Sequence, residues 1–339
     1  MNMPTPKILV WLPSPMGDAV LCTPALRALR EYFNDTNITF LANPVVKNIL
    51  SPNSFCDDWL EQKGDNPFTT TKILRPQKFT HAVLFKNSFA SAFACFLAQI
   101  PIRTGYSRQG RGIFLTEKLH PAKIGGKFKP GSMLDYYLAI ASWLGADTEN
   151  REMSLDIDSP DENSLLQKIP LLKNSQQPLV IFVPGGAFGP SKCWLPQRFA
   201  RLADCLIDKY NAKIIISVGP QEKHIADAIC EKTKNQLINL GDSPISLGQL
   251  KALISRAALV ITNDTGPRHI ALALKRKVVT LFGPNDPAWT DTGSADEIKI
   301  VAIVPCAPCA RPNCKKEEHY CMNWITVDMV FSAAEKLLG

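Results

Sequence analysis

The chain has 339 residues, is 45% hydrophobic and 20% charged, and carries a net charge of +7. That length favours two domains over one, and the hydrophobic share is that of an ordinary globular protein whose core needs no covalent staples. Ten scattered cysteines, several inside apolar runs (Cys95, Cys205, Cys230), point to buried thiols in a reducing compartment and away from a disulfide scaffold.

Residues 7–12 (KILVWL) predict a buried strand. The apolar run ends at Pro13 and is too short for a signal peptide. Residues 13–17 form a tight loop, and Asp18 opens a helix with Val20, Leu21, Ala25, Leu26 and Leu29 at helical spacing, ending near Phe33. Pro24 inside that pattern predicts a kink or a late start. Residues 38–42 are a second strand. Strand, loop, helix, strand is a nucleotide-fold opening, yet G-x-G-x-x-G is absent and the loop delivers one carboxylate instead. Asp18 is therefore either a helix cap or a general base. A helix at 45–50, a strand at 82–85 and a helix at 89–98 follow. The stretch 82–102 is the most apolar, but Lys86, Asn87 and Gln99 mark it as a strand plus a buried helix, not a membrane span.

Seven cations (Arg103, Arg108, Arg111, Lys118, Lys123, Lys127, Lys129) against Glu117 put +6 of the net charge into residues 101–130. With five glycines interspersed, the segment reads as a mobile loop. It suits a polyanion (nucleic acid, anionic lipid or a phosphorylated glycan), a solvated loop being the plain alternative. Few aromatics (Tyr106, Phe114, Phe128) disfavour nucleic acid. A helix at 133–144 closes the first domain, residues 1–155. Residues 156–177, acidic with one short helical piece at 162–167, read as an interdomain linker.

The second domain, 178–325, opens with a strand at 179–183 and a glycine-rich loop, 184–192. Gly185, Gly186 and Lys192 can offer backbone N–H groups and an ammonium to a diphosphate, although the loop lacks the G-K-[ST] ending of a Walker motif. A helix at 196–209 and a strand at 214–218 lead to Glu222, suited to ribose hydroxyls or to a helix's first turn. After a helix at 247–254, residues 258–287 form a βαβ unit. Its strands are 259–262 and 278–282, its helix 270–274, and its polar break Asn263-Asp264-Thr265-Gly266. Asp264 or Thr265 caps the helix or meets a ligand, Gly266 permits close backbone approach, and His269 lies one turn in. Loops 184–192, 219–222 and 263–269 thus share the carboxyl edge of a doubly wound sheet, where ligands bind. In the tail, Cys306, Cys309, Cys314 and Cys321 with His319 could hold zinc, though the second pair is wider than a zinc knuckle. Reduced thiols or a facultative disulfide are the alternatives. Residues 326–339 end the chain in a helix.

Two doubly wound α/β domains facing a cleft form the GT-B architecture. The motifs MGD (16–18) with TPAL (23–26), FGPSKCW (188–194), NDTGPRH (263–269) and FGPNDP (282–287), with the tail beginning PCAPC (305–309), span the chain in order. In these it resembles glycosyltransferase family 9, the heptosyltransferases, and within it the heptosyltransferase II branch. The resemblance implies the roles that follow. Asp18 is the base. Gly185, Gly186 and Lys192 hold the donor's diphosphate, Glu222 its ribose and Ile245 its adenine. Asp264, Thr265 and Gly266 meet sugar and phosphates, supported by His269. The charge of segment 101–130, not the resemblance, assigns Arg103, Arg108, Arg111, Lys123 and Lys127 to the acceptor. The resemblance also implies ADP-L-glycero-D-manno-heptose as donor and heptosyl-Kdo2-lipid A as acceptor, with inversion and without divalent metal or cofactor. The protein is then a cytoplasmic monomer touching the inner face of the inner membrane, and its terminal helix packs back on the first domain. A family member with another donor or core acceptor is the near alternative. A sugar epimerase finds no support, because the chain has neither G-x-G-x-x-G nor a Tyr-x-x-x-Lys pair. An RNA-binding protein with a zinc tail is the non-enzyme alternative.

Overall fold

The structure is a computed structural model that describes residues 6–173 and 176–339. The chain divides into two units, Met1–Asp156 with Ala288–Thr292, and Ile157–Pro287 with Gly293–Gly339.

In unit 1, β1 (Lys7–Trp11) is followed by α1 (Met16–Leu21), α2 (Thr23–Tyr32) and β2 (Asn37–Ala42). The helix expected to run from Asp18 to Phe33 breaks at Cys22, so Pro24 falls in the first turn of α2, where a missing N–H loses no bond. Next come α3 (Pro44–Leu50), β3 (Asp58–Glu61), α4 (Pro67–Leu74), β4 (His81–Leu84) and α5 (Phe89–Leu97). Asn43, Asn66 and Ser88 cap the three helices. The sheet is completed by β5 (Ile102–Tyr106) and β6 (Glu117–Leu119), joined by a 3₁₀ turn, Arg111–Phe114. A small antiparallel hairpin, β7 (Lys123–Ile124) with β8 (Lys127–Phe128), precedes α6 (Met133–Trp143). The basic segment is therefore two strands, a turn and a hairpin, not one mobile loop. All sheet pairings are parallel in the order β3-β2-β1-β4-β5-β6. The central strands are unbroken apolar runs because both faces are covered by helices.

Unit 2 begins earlier than expected. Residues assigned to a linker form α7 (Ser159–Lys168), which packs on α10 (Leu247–Ser255) and is tied to this unit by Glu162 with Arg256 and by Lys168 Nζ donating to the Pro244 carbonyl at 2.6 Å. The remaining elements are β9 (Leu179–Val183), α8 (Pro196–Tyr210), β10 (Lys213–Ile216), α9 (Lys223–Cys230), β11 (Ile238–Asn239), β12 (Leu259–Asn263), α11 (Gly266–Ala273), β13 (Val278–Phe282), β14 (Glu297–Val301), α12 (Tyr320–Trp324) and α13 (Val327–Leu338). The order is β11-β10-β9-β12-β13-β14, again all parallel. The terminal helix α13 packs on α8 and β13 of this unit, with Val330, Ala334 and Leu337 in its core. That corrects its expected position on the first domain: its apolar stripe completes the sheet-facing layer beside α8. Among the described residues no helix is long and apolar enough to cross a membrane.

Candidate active site

Each sheet reverses its strand order between its first and fourth strands, and loops leaving the carboxyl ends there are the natural ligand positions of such folds. In unit 1 the loop after β1 carries Asp18 in the first turn of α1. Tyr137, on α6, donates its phenol to Asp18 Oδ1 at 3.1 Å. Burial raises the Asp18 carboxyl above the usual aspartate value, and the phenol only partly opposes it. Desolvation thus outweighs both the phenol's hydrogen bond and the helix start, and the Asp18 carboxylate is more basic than a free aspartate's.

The fold divides the five cations assigned to the acceptor. Arg111 is fully buried. Its Nε donates to the Tyr106 carbonyl at 2.8 Å, one Nη to the Asn87 amide oxygen at 2.9 Å and the other to the Lys86 carbonyl and Ser91 Oγ. Burial lowers its pKa to about 10, so it stays charged as an internal clamp on the loop after β4. Arg103 likewise spends its guanidinium on the carbonyls of Ile100, Pro101 and Phe114. Neither is a free loop cation. Arg108 differs: its guanidinium lies 4.1 Å from the Phe128 ring centre, and its buried Nε has no hydrogen-bond partner among the described residues. It lines a pocket of about 320 Å³ in unit 1, with Tyr106, Phe128, Lys129, Tyr136 and Trp289. Tyr106 and Tyr136 stack with centroids 3.8 Å apart. Lys123 and Lys127 are exposed on the hairpin.

In unit 2 the glycine-rich loop after β9 meets the loop after β12. Asn263 Nδ2 donates to the carbonyls of Pro184 at 2.6 Å and Gly185 at 3.1 Å, clamping the two loops at the switch point. Lys192 is buried, and its Nζ donates to Asp264 Oδ2 at 2.7 Å and to the Asp264 carbonyl at 2.8 Å. Asn285 Nδ2 reaches the same carboxylate at 3.0 Å, and an Arg268 nitrogen lies 3.7 Å from its other oxygen. Burial alone would raise the Asp264 carboxyl, but Lys192, then Arg268 and Asn285, hold it below the usual value. Arg268 is anchored by a two-point ion pair to buried Glu297 at 2.6 and 2.9 Å, and Thr280 Oγ1 donates to Glu297 as well. Thr265 is the N-cap residue of α11 and Gly266 its first residue, so the free amides of that helix face the same edge.

Glu222 accepts from the amides of Gly186 at 2.8 Å and Gly219 at 2.9 Å, and a side chain at Gly185 would strike its carboxylate. These loops line a pocket of about 580 Å³ that includes Gly189, Cys193 and His224. Gly189 has φ of +149°, and a Cβ there would meet the Pro312 backbone, so only glycine fits. His269 is buried one turn into α11; burial, then Arg268, lowers its pKa to about 3, and its Nδ1 has no partner among the described residues. Ile245 does not line this pocket, whereas Ile225 does. Ile245 lies just before Ser246, which caps α10 in a capping box.

The tail braces the glycine-rich loop: the Ser191 amide donates to the Pro312 carbonyl at 3.1 Å and its hydroxyl to the Arg311 carbonyl at 2.5 Å. All ten cysteines are free, Cys95 buried and Cys205 and Cys230 half-buried. Among the described residues no three His, Cys, Asp or Glu side chains are grouped to hold a metal ion. Sequence reasoning missed Tyr137, Asn263, Asn285 and Glu297 as site residues. Asn263 and Asn285 stand inside motifs already singled out, so adjacency was a usable signal. Tyr137 and Glu297 meet their partners only through the sheet topology.

Two parallel six-stranded sheets of this order, with a cationic loop cluster at the switch point of the second, define the GT-B class of sugar-nucleotide transferases. Residues 68–320 match the model of glycosyltransferase family 9 (heptosyltransferase). The chain belongs to that family and is a glycosyltransferase. It is similar to the lipooligosaccharide heptosyltransferase 2 of Campylobacter jejuni, 25% identical over 338 residues, 98% of this chain and 99% of that one. Its fold resembles a family 9 glycosyltransferase from Veillonella parvula, with TM-score 0.83, 23% identity, and 100% of this chain and 98% of that one covered. It also resembles the E. coli ADP-heptose lps heptosyltransferase II, with TM-score 0.80, 24% identity and 98% of both chains covered.

Proposed function

We propose that this chain transfers L-glycero-D-manno-heptose from its ADP derivative to the inner core of lipopolysaccharide, heptosyl-Kdo2-lipid A, with inversion and without divalent metal. The observation that carries the reading is the buried Lys192–Asp264 pair beside the Gly185-Gly186 loop, in a chain of the heptosyltransferase family. It agrees with the similarity to a lipooligosaccharide heptosyltransferase 2 of Campylobacter jejuni and to the E. coli ADP-heptose lps heptosyltransferase II.

The donor's diphosphate competes with Asp264 for the Lys192 ammonium. Glu222 turns from the Gly186 and Gly219 amides to the ribose hydroxyls, which frees both N–H groups for phosphate oxygens. The acceptor hydroxyl attacks the anomeric carbon on the face opposite the diphosphate. The bond from that carbon to the β-phosphate oxygen breaks, ADP departs with the electron pair, and Asp18 takes the proton. One displacement gives inversion. The charge growing on ADP is met by Lys192 and the first amides of α11, the part a divalent ion plays elsewhere. Asp264, the carboxylate beside the phosphates, is already committed to Lys192, Arg268 and Asn285 and is a poor metal ligand. His269, neutral at physiological pH, supports this helix start. On the acceptor side Arg108, Lys123 and Lys127 are the cations left to meet carboxylates and phosphates.

The test is ADP release with ADP-heptose and defined truncated core acceptors, with the anomer of the product read by NMR and a chelator added in a parallel series. Release no faster with heptosyl-Kdo2-lipid A than without acceptor sinks this reading and passes the chain to a different acceptor. Loss of turnover on chelation sinks the metal-independent mechanism.

A further inference from the structure

Helices α4 and α5 and the turn Arg111–Phe114 present an aromatic face that the transfer chemistry does not use. Thr71 Oγ1 donates to the Ala94 carbonyl at 3.2 Å and ties the two helices together. Across them five rings interlock: Phe68 with Phe93 at 6.0 Å between centroids, Phe89 with Phe93 at 5.7 Å, and Phe114 with Phe89, Phe93 and Phe96 at 5.2, 5.0 and 5.3 Å. Such a cluster normally closes a core. Here Phe68 is 61% exposed, Phe89 45%, Phe96 47% and neighbouring Ile113 76%. Single exposed apolar residues are ordinary, but four around one ring cluster are a surface kept apolar against its hydration cost.

The elements that form this face carry charges of one sign, and Asp65, three residues before Phe68, is paired with Lys86 Nζ at 2.6 Å. α4 (PFTTTKIL), α5 (FASAFACFL) and the turn (RGIF) contain no Asp or Glu; their charged residues are Lys72, exposed one turn from Phe68, and the buried Arg111. Arg103 adds a guanidinium 5.7 Å from the Phe96 ring centre. An aromatic and aliphatic face whose own elements carry cations and no carboxylate matches a bilayer surface, where rings sit at headgroup level and basic side chains meet anionic lipid.

We infer that the α4–α5 face docks the enzyme on an anionic phospholipid bilayer, with Phe68, Phe89, Phe96 and Ile113 entering the interface and Lys72 meeting lipid phosphates. This agrees with the lipid-linked acceptor proposed above, but docking is measured with no acceptor present, so the two readings fail separately.

The experiment is cosedimentation of the full chain with vesicles of phosphatidylcholine alone and of phosphatidylethanolamine with phosphatidylglycerol. The wild type should partition to both, more strongly to the anionic ones. Phe68→Asp with Ile113→Asp, the two most exposed positions, should lower partition about tenfold or more on either vesicle. Lys72→Gln should lower only the preference for the anionic vesicles, by about fivefold. Far-UV circular dichroism and turnover on a water-soluble deacylated acceptor should match the wild type in both variants. A wild type that stays in the supernatant, or a double variant that sediments like it, overturns the inference. So does a wild-type dimer that ignores vesicles and dissociates in the double variant, which would give the face to a second copy.

Discussion

Replacing Lys192 by methionine removes the one ammonium of the proposed donor site while keeping the length of the side chain. Its Nζ lies 2.7 Å from Asp264 Oδ2, and the two side chains are 11% and 9% exposed, so salt screens the pair little. Two losses follow. In the free protein Asp264 keeps Asn285 at 3.0 Å and Arg268 at 3.7 Å. Breaking a buried pair costs roughly 3–5 kcal/mol when the surviving charge is left alone, so these partners bring the loss of stability to about 2–3 kcal/mol. In the complex, the lost charge-assisted contact to phosphate is worth roughly 1.5–3 kcal/mol, or roughly 10- to 150-fold in the ADP dissociation constant. Denaturant titration reads the first and calorimetry with ADP alone the second. Asp264→Ala separates the roles, because Asp264 competes with phosphate for Lys192 and is also assigned to the sugar. Its loss of turnover should equal or exceed its loss of ADP affinity. Unimpaired ADP binding in both variants would refute the phosphate assignment.

Asp18→Asn should leave less than about a tenth of wild-type turnover with ADP affinity intact; a larger residue of activity would leave Asp18 a cap, since a positioned base contributes roughly 10²–10⁴-fold. His269, with a folded pKa lowered to about 3, binds its proton more readily in the unfolded chain. Its contribution to stability is complete well above pH 6.5 and falls as pH drops below it, by roughly 1 kcal/mol at about pH 5.5. Chemical denaturation across that range should show this slope in the wild type and lose it in His269→Gln. Arg111→Ala should destabilise by about 3 kcal/mol, since it strips donors from several buried acceptors. Lys123→Ala with Lys127→Ala should change stability by under about 0.5 kcal/mol. That pair should instead raise acceptor KM and flatten its dependence on salt, exposed charges being screened beyond about 8 Å at physiological ionic strength. An unchanged acceptor KM would return the hairpin to a merely solvated role.

What could be read from the chain alone was whatever a local pattern carries. Short apolar runs rich in β-branched residues, such as 259–262, suit strands buried on both faces, and a polar, glycine-bearing break after each marks the ligand edge of a parallel sheet. That singled out Asp18, Lys192 and Asp264 as candidates for the chemistry and identified two doubly wound domains as the frame. Short or polar elements, β3, α4, β6 and the hairpin, carried too little periodicity to be seen, and glycines among cations in 101–130 passed for a mobile loop. Tertiary structure alone decided which charges are spent. Arg111 and Arg108 are three residues apart with the same side chain. One is sealed against four acceptors beneath the loop after β4, and the other keeps a buried Nε without a partner beside a pocket. Asp18 shows the same division. A helix start argues for a low pKa, yet burial raises it, and the phenol that partly opposes burial belongs to Tyr137, 119 positions away, brought there only when α6 packs beside α1. Desolvation and long-range hydrogen bonds depend on what surrounds a side chain in space, and sequence spacing carries no record of it.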